Sequence, residues 1–252
     1  MDPPAPAGRM FAAVRFAKRR NQLAENKFVV AIDGPAGAGK STIARRVAAK
    51  LGFVYVDTGA MYRAVGLWAL RTGVTLDDAR ALEQLARRAR IELGSSPPTV
   101  LLNGEDVTEA IRTREVSEAA SRSSAVPGVR RALVEKQRRM AAAGRVVMEG
   151  RDIGTVVCPD AEVKVFLDAD PAVRVRRRLL ELSEKGAPAP AGQVAREMEE
   201  RDRRDRNRSD SPLVRAPDAV YVDTTGLSLD EVEGIILEIV RDRIRQGKES
   251  SR

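Results

Sequence analysis

Histidine is absent from the 252 residues, and there is a single cysteine, Cys158. The first absence removes Ser-His and Cys-His nucleophilic mechanisms and every histidine-based metal site. The second removes any disulfide within the chain and is compatible with a reducing, cytoplasmic location. Aromatic residues make up 4% of the chain, too few for a platform on which successive nucleic-acid bases stack. No apolar run approaches the roughly 20 residues of a membrane span, so no membrane partner is expected. Positive charge is not scarce: the net charge is +8 and the pI about 10.0. It sits at the two ends, with six Lys/Arg against two Asp/Glu over 1–27 and five against two over 241–252. The stretch between is nearly neutral, which argues against a specific nucleic-acid partner.

What is present is a series of short apolar blocks: FVVAID (28–33), FVYVD (53–57), RVVME (145–149), VKVFLD (163–168) and AVYVDT (219–224). They are continuous, without polar alternation, as in parallel strands covered on both faces. Segments 40–51, 59–71, 129–143, 171–184, 192–208 and 228–246 read as helices between them. This alternation predicts an α/β fold with a doubly wound five-stranded parallel sheet. The interval between the second and third strands is too long for one crossover. Inside it RIEL and TVLLNGEDVT read as short strands, with SSPP and NG as turns. A small β-containing insert subdomain is therefore expected over about 74–124, within one domain spanning 28–252. Residues 1–27 are Pro/Ala-rich and then basic. They read as a disordered or partly helical extension, dispensable, or as an early start with Met10 the true one; they lack the apolar run of a secretory signal.

GPAGAGKST (34–42) fits G-x-x-x-x-G-K-[ST], after one predicted strand and opening a predicted helix. That context makes it a P-loop: Gly34, Pro35, Ala36, Gly37, Ala38, Gly39, Lys40, Ser41 and Thr42 would cradle nucleotide phosphates. Lys40 would bridge the β- and γ-phosphates, and the Ser41 hydroxyl would sit near Mg²⁺. No guanine-reading Asn/Thr-Lys-x-Asp motif follows. Two further strands end in chemistry. DTGAMYRA (57–64) offers Thr58, Tyr62 and Arg63, and MEGRDIGTVV (148–157) offers Glu149, Arg151 and Asp152. Strand ends in such sheets face the ligand crevice. Ionic groups beside a phosphate cradle cost desolvation unless they face a ligand or one another.

RDRRDRNRSD (201–210) holds five arginines and three aspartates. On a helix Arg201, Asp205 and Arg208 share a stripe, with Arg204 alongside, while Asp202, Arg203 and Arg206 point elsewhere. A carboxylate flanked by guanidinium forks suits ribose hydroxyls and phosphate or base acceptors; a solvated charged face is the plainer alternative. A second cluster, RVRRRLLELSEKG (174–186), precedes a Gly/Pro/Ala-rich loop. It suits a lid over about 174–192, with Arg174 and Arg178 beside a transferring phosphoryl.

GPAGAGKST, DTGAMYR, GRDIGTVV, RDRRDRNR and YVDTTGLSLDEV, in that order, resemble the bacterial cytidylate kinases, P-loop nucleoside monophosphate kinases. The resemblance covers essentially 28–240. It implies ATP and Mg²⁺, with CMP or dCMP as phosphoryl acceptor. The family's cytosine contacts fall on Thr58, Asp152, Arg208 and Arg130, with Arg131 an alternative to the last. Its phosphate contacts fall on Arg63 and Arg151, its ribose contacts on Ser121, Arg201 and Asp205. Where the family often has Asp, this chain has Glu149 as the second candidate beside the metal. A monomer is expected. A kinase for another small acceptor, an RNA-binding protein with an incidental P-loop, and a nucleotide-binding regulator are the rival readings.

Overall fold

The computed structural model describes residues 27–95, 98–184 and 186–249. The expectations for the N-terminal extension therefore lie outside the described residues. In chain order the elements are β1 (Phe28–Asp33), α1 (Lys40–Leu51), β2 (Val54–Asp57), α2 (Thr58–Arg71), α3 (Ala79–Arg88), β3 (Ile91–Ser95), β4 (Pro98–Leu102) and β5 (Glu105–Asp106). There follow α4 (Arg114–Ser124), α5 (Pro127–Ala141), β6 (Arg145–Gly150), β7 (Val163–Asp168), α6 (Pro171–Glu184), α7 (Ala191–Asn207), β8 (Val220–Asp223) and α8 (Leu229–Glu249).

Five strands form one parallel sheet in the order β2-β6-β1-β7-β8. The predicted sheet is thus present, with every strand boundary within one residue of expectation. Alternate residues of β1 serve opposite faces. Val30 and Ile32 pack with Ile43 and Val47 of α1 and with Val232, Ile236 and Val240 of α8. Val29 and Ala31 pack with Val134 of α5, Met148 and Ile153. Burying each such aliphatic side chain contributes about 1.5–3 kcal/mol, so the continuous apolar blocks commit β1, β6 and β7 to the centre of the sheet.

β3, β4 and β5 form a separate antiparallel sheet. Its Ile91, Val100 and Leu102 share a core with Met61 and Val65 of α2 and Leu82 of α3. Two helices here, α3 and α4, went unforeseen, although both carry side-chain caps. Asp78 accepts from Ala81 N–H at 2.9 Å, and Thr113 from Val116 N–H at 3.2 Å. Among the described residues no helix is long and apolar enough to cross a membrane.

Candidate active site

The glycine-rich loop leaves β1 at the middle of the sheet and enters α1. Gly34 has φ +148°, and a Cβ there would stand 1.9 Å from the Leu167 carbonyl oxygen. Only glycine fits this approach of loop to β7. Gly39, with φ 89°, caps α1 and aims the first-turn amides at the crevice.

A cleft of about 1180 Å³ opens over the carboxyl ends of the strands, between α4 on one side and α6 and α7 on the other. It brings together Ala36 to Thr42, Thr58, Tyr62, Arg63, Ser121, Arg130, Glu149, Arg151, Asp152, Arg178, Arg201, Asp205 and Arg208. Gly34, Pro35 and Arg174 are outside its lining.

At the loop end, Lys40 Nζ donates to the Pro35 carbonyl at 2.6 Å. Burial and the nearby Arg151 push the Lys40 pKa down to about 7. Glu149 is buried, accepts from Tyr55 Oη at 2.6 Å and faces the Ser41 hydroxyl. Burial and Asp57 raise its pKa. Asp33, at the end of β1, accepts from Ile153 N–H at 2.8 Å and Gly154 N–H at 2.7 Å, and burial lifts it to about 6. These bonds tie the phosphate loop's strand to the turn that carries Arg151 and Asp152.

Toward the centre, Arg201 is pushed down to about 10 by burial and by Arg151, with Arg63 and Arg178 adding to the repulsion and Asp205 opposing it. Its buried Nε has no hydrogen-bond partner. Arg63 pairs with Asp57 at 2.9 Å, Arg151 with Asp205 at 3.0 Å, and Arg178 with Glu181 at 2.7 Å. Burial pushes the Asp205 carboxyl up, but Arg151, Arg201 and Arg208 outweigh it and hold it low. Four guanidinium groups and a lysine crowded into partly buried space concentrate positive charge of the kind that suits an anion.

At the far end Arg130 and Asp152 form a buried ion pair. Arg130 also lies over the Tyr62 ring, 5.6 Å from its centroid, and burial pushes the Tyr62 hydroxyl up to about 12. Thr58 Oγ1 donates to the Glu149 carbonyl at 2.6 Å. Arg208 donates to the Ser211 carbonyl at 2.9 Å. The Ser121 hydroxyl and the Nε atoms of Arg130 and Arg208 are buried without a hydrogen-bond partner among the described residues. Of Arg130 and Arg131, the first is buried and lines the cleft, while the second is 62% exposed beside Glu83 and outside the lining.

Two expectations are corrected. Arg174 is turned away from the cleft and buried, donating to the carbonyls of Ala169 and Ala36 and paired with Asp202. Asp202 lies off the cleft-facing stripe, as expected of it, and accepts from the Ala36 N–H of the glycine-rich loop. Arg208 lies past the last helical residue, with ψ 135°, and reaches Asp205 across the cap at 3.5 Å. Sequence reasoning also passed over Arg177. It lines the cleft, donates to Thr224 Oγ1 at 2.9 Å and to the Thr224 carbonyl at 2.6 Å, and approaches Gly39. Asp33, Asp57 and Tyr55 were missed too; a polar residue ending an apolar strand run is the signal that marked the first two.

Residues 30–242 match the family model described as Cytidylate kinase. The chain is 61% identical over 229 residues to a cytidylate kinase of Solibacter usitatus, covering 90% of this chain and 98% of that one. It is 50% identical over 219 residues to a cytidylate kinase of Desulfitobacterium hafniense, covering 86% and 94%. Over 222 residues it is 50% identical to a cytidylate kinase of Geobacillus kaustophilus, covering 87% and 99%. With a glycine-rich phosphate loop, an arginine-lined centre and this breadth of likeness, the chain belongs to the cytidylate kinase family.

Proposed function

We propose that this chain transfers the γ-phosphoryl group of ATP to the phosphate of CMP and dCMP, forming ADP with CDP or dCDP. One observation carries the reading: Arg63, Arg151, Arg178 and Arg201 converge on the space beside Lys40, where two anionic nucleotides must meet. Their mutual repulsion is relieved by phosphate charge, so binding energy and catalytic electrostatics share one source.

The amides of the P-loop and Lys40 hold the donor phosphates. Arg63 and Arg151 hold the acceptor phosphate. Asp152 accepts from the exocyclic amine of cytosine, and Thr58, Arg130 and Arg208 complete the base contacts. Uracil, with a carbonyl at that position, would leave the buried Asp152 carboxylate facing an acceptor. Ser121, Arg201 and Asp205 take the ribose, and Tyr62 walls the pocket. The Arg178 guanidinium meets the transferring group when the 174–192 lid closes, and that closure excludes water. The acceptor oxygen is already ionised, so in-line attack needs positioning rather than a strong base.

The donor set also suits Mg²⁺. Ser41 and Glu149 offer a hydroxyl and a carboxylate side by side, and no cluster of three or more His, Cys, Asp or Glu able to hold a metal occurs among the described residues. Mg²⁺ bound through substrate phosphates and its own waters requires no such cage. It would supply neutralising charge at the β- and γ-oxygens. A coupled assay with ATP and CMP, dCMP, UMP, AMP and shikimate tests the proposal. CMP and dCMP should turn over, with UMP about tenfold to a hundredfold poorer in kcat/KM, the scale of a lost charged hydrogen bond. Absence of turnover with both cytidine nucleotides would sink it.

A further inference from the structure

We propose that Asp202 and Arg174 are positioning residues for the donor site: together they clamp the Ala36 peptide of the P-loop from α6 and α7. The inference rests on the reading that this loop holds ATP phosphates.

Both peptide groups flanking Ala36 are engaged. Its N–H donates to Asp202 Oδ1 at 3.4 Å, and its carbonyl accepts from Arg174 Nη1 at 3.0 Å. The same Nη1 donates to Asp202 Oδ2, closing a three-membered circuit of carboxylate, guanidinium and peptide. Arg174 Nε donates to the Ala169 carbonyl at 3.1 Å, just past the end of β7. The clamp is thereby anchored on the central sheet. Asp202 and Arg174 are 5% and 6% exposed. The Ala36 side chain packs with the cluster of Leu182, Val194 and Met198. At Gly37 a Cβ would stand 2.9 Å from Met198 Cε and 3.0 Å from the Arg174 carbonyl oxygen, so both helices touch the loop.

The arrangement follows from the period of α7. Val194, Met198 and Asp202 recur every four residues and make one buried stripe. Arg201 and Asp205 make the adjoining stripe and line the cleft. Neighbouring aspartates three residues apart on one helix therefore serve opposite substrates. A buried ion pair adds little net stability, because desolvation offsets its attraction. Its effect here is geometric. A phosphate loop works only while its amides converge on one point, and small displacements there are costly.

The experiment uses the full chain. Binding of a non-hydrolysable ATP analogue and of CMP is measured separately by calorimetry, alongside steady-state KM values and thermal unfolding. Asp202→Asn should weaken analogue binding about tenfold, the loss of a charged hydrogen bond, and leave the Kd for CMP within about twofold. Arg174→Lys keeps the ion pair but cannot span both carbonyls, and should weaken the analogue less than Arg174→Ala. If Asp202→Asn does not fold, the two Arg174 variants decide. Unchanged donor affinity, or equal losses for both nucleotides with a lowered Tm, overturns the clamp and leaves a merely structural ion pair. Failure of the wild-type chain to phosphorylate CMP would overturn the proposed function instead, since donor binding is read without an acceptor.

Discussion

Lys40 is the residue at which charge, burial and chemistry meet. Its ammonium is buried beside Arg151 and Arg201, and its pKa is held down to about 7 from an ordinary 10.5. Between those values the folded site carries fewer protons than the unfolded chain, so stability of the nucleotide-free protein should rise with pH across that window. Donor phosphates act in the opposite sense on Lys40: they favour the ammonium and raise its pKa. Binding should therefore take up a proton above pH 7, and donor affinity should fall by up to about tenfold per pH unit beyond it. Calorimetry at pH 8 in buffers of different ionisation enthalpy reads the uptake directly. Buffer-independent heats would show that Lys40 is already charged in the free site. This residue was legible in the sequence because the P-loop motif specifies both its neighbours and its role. Asp33 and Arg174 were not. Each acts on backbone groups more than 100 residues away, or across two helices, and no local spacing encodes such a partner.

At the scale of elements, α7 shows what helical period can and cannot foretell. The stripe Arg201, Asp205 was readable from i, i+4 spacing, and both residues line the cleft. Arg203 was expected to face away, and it is exposed, paired with Glu200 at 2.8 Å. The identity of the opposite face was not readable, because a charged residue in a charged run looks solvated until a partner such as Arg174 arrives from α6. Asp205→Ala should raise KM for CMP about tenfold to a hundredfold, since it removes charged hydrogen bonds and frees Arg151. KM for ATP should stay within about twofold, and Arg203→Ala should change neither. Steady-state kinetics with each substrate varied in turn checks this. Comparable effects of the two substitutions would return the tract to a charged helix surface. The strands, by contrast, were recovered almost residue by residue, because full burial of a parallel strand writes itself as an unbroken apolar block. α3 and α4 escaped because their short amphipathic patterns sit among turn residues.

At the scale of the whole molecule, the cleft is bounded by two bodies that meet at its mouth through ion pairs of exchanged polarity. Arg114 of α4 holds Glu197 of α7, with Nε–Oε2 at 3.0 Å, and Arg204 of α7 holds Glu118 of α4 at 2.9 Å. The partners are 83 and 86 residues apart in the chain, so only the folded arrangement reveals them. Surface pairs contribute about 0.2–1 kcal/mol each, and both link α4 to α7 across the cleft. Reversing the two acidic members together, Glu118→Lys with Glu197→Lys, sets lysine against arginine across the mouth and favours the open cleft. KM for CMP should rise about fivefold, the equivalent of about 1 kcal/mol, with the fold unchanged by circular dichroism. The difference from wild type should shrink as salt is raised from 0.1 M toward 1 M, where the Debye length falls from about 10 Å to about 3 Å. A KM ratio that starts near one, or that persists unscreened at high salt, would show that these pairs do not govern closure. Arg114→Glu and Arg204→Glu added to the reversed background restore opposite charges in exchanged order. All four residues line the cleft, and the Arg114–Glu197 pair is read separately from Arg204–Glu118 by testing the Arg114→Glu, Glu197→Lys exchange alone. That pair should return KM for CMP to within about twofold of wild type.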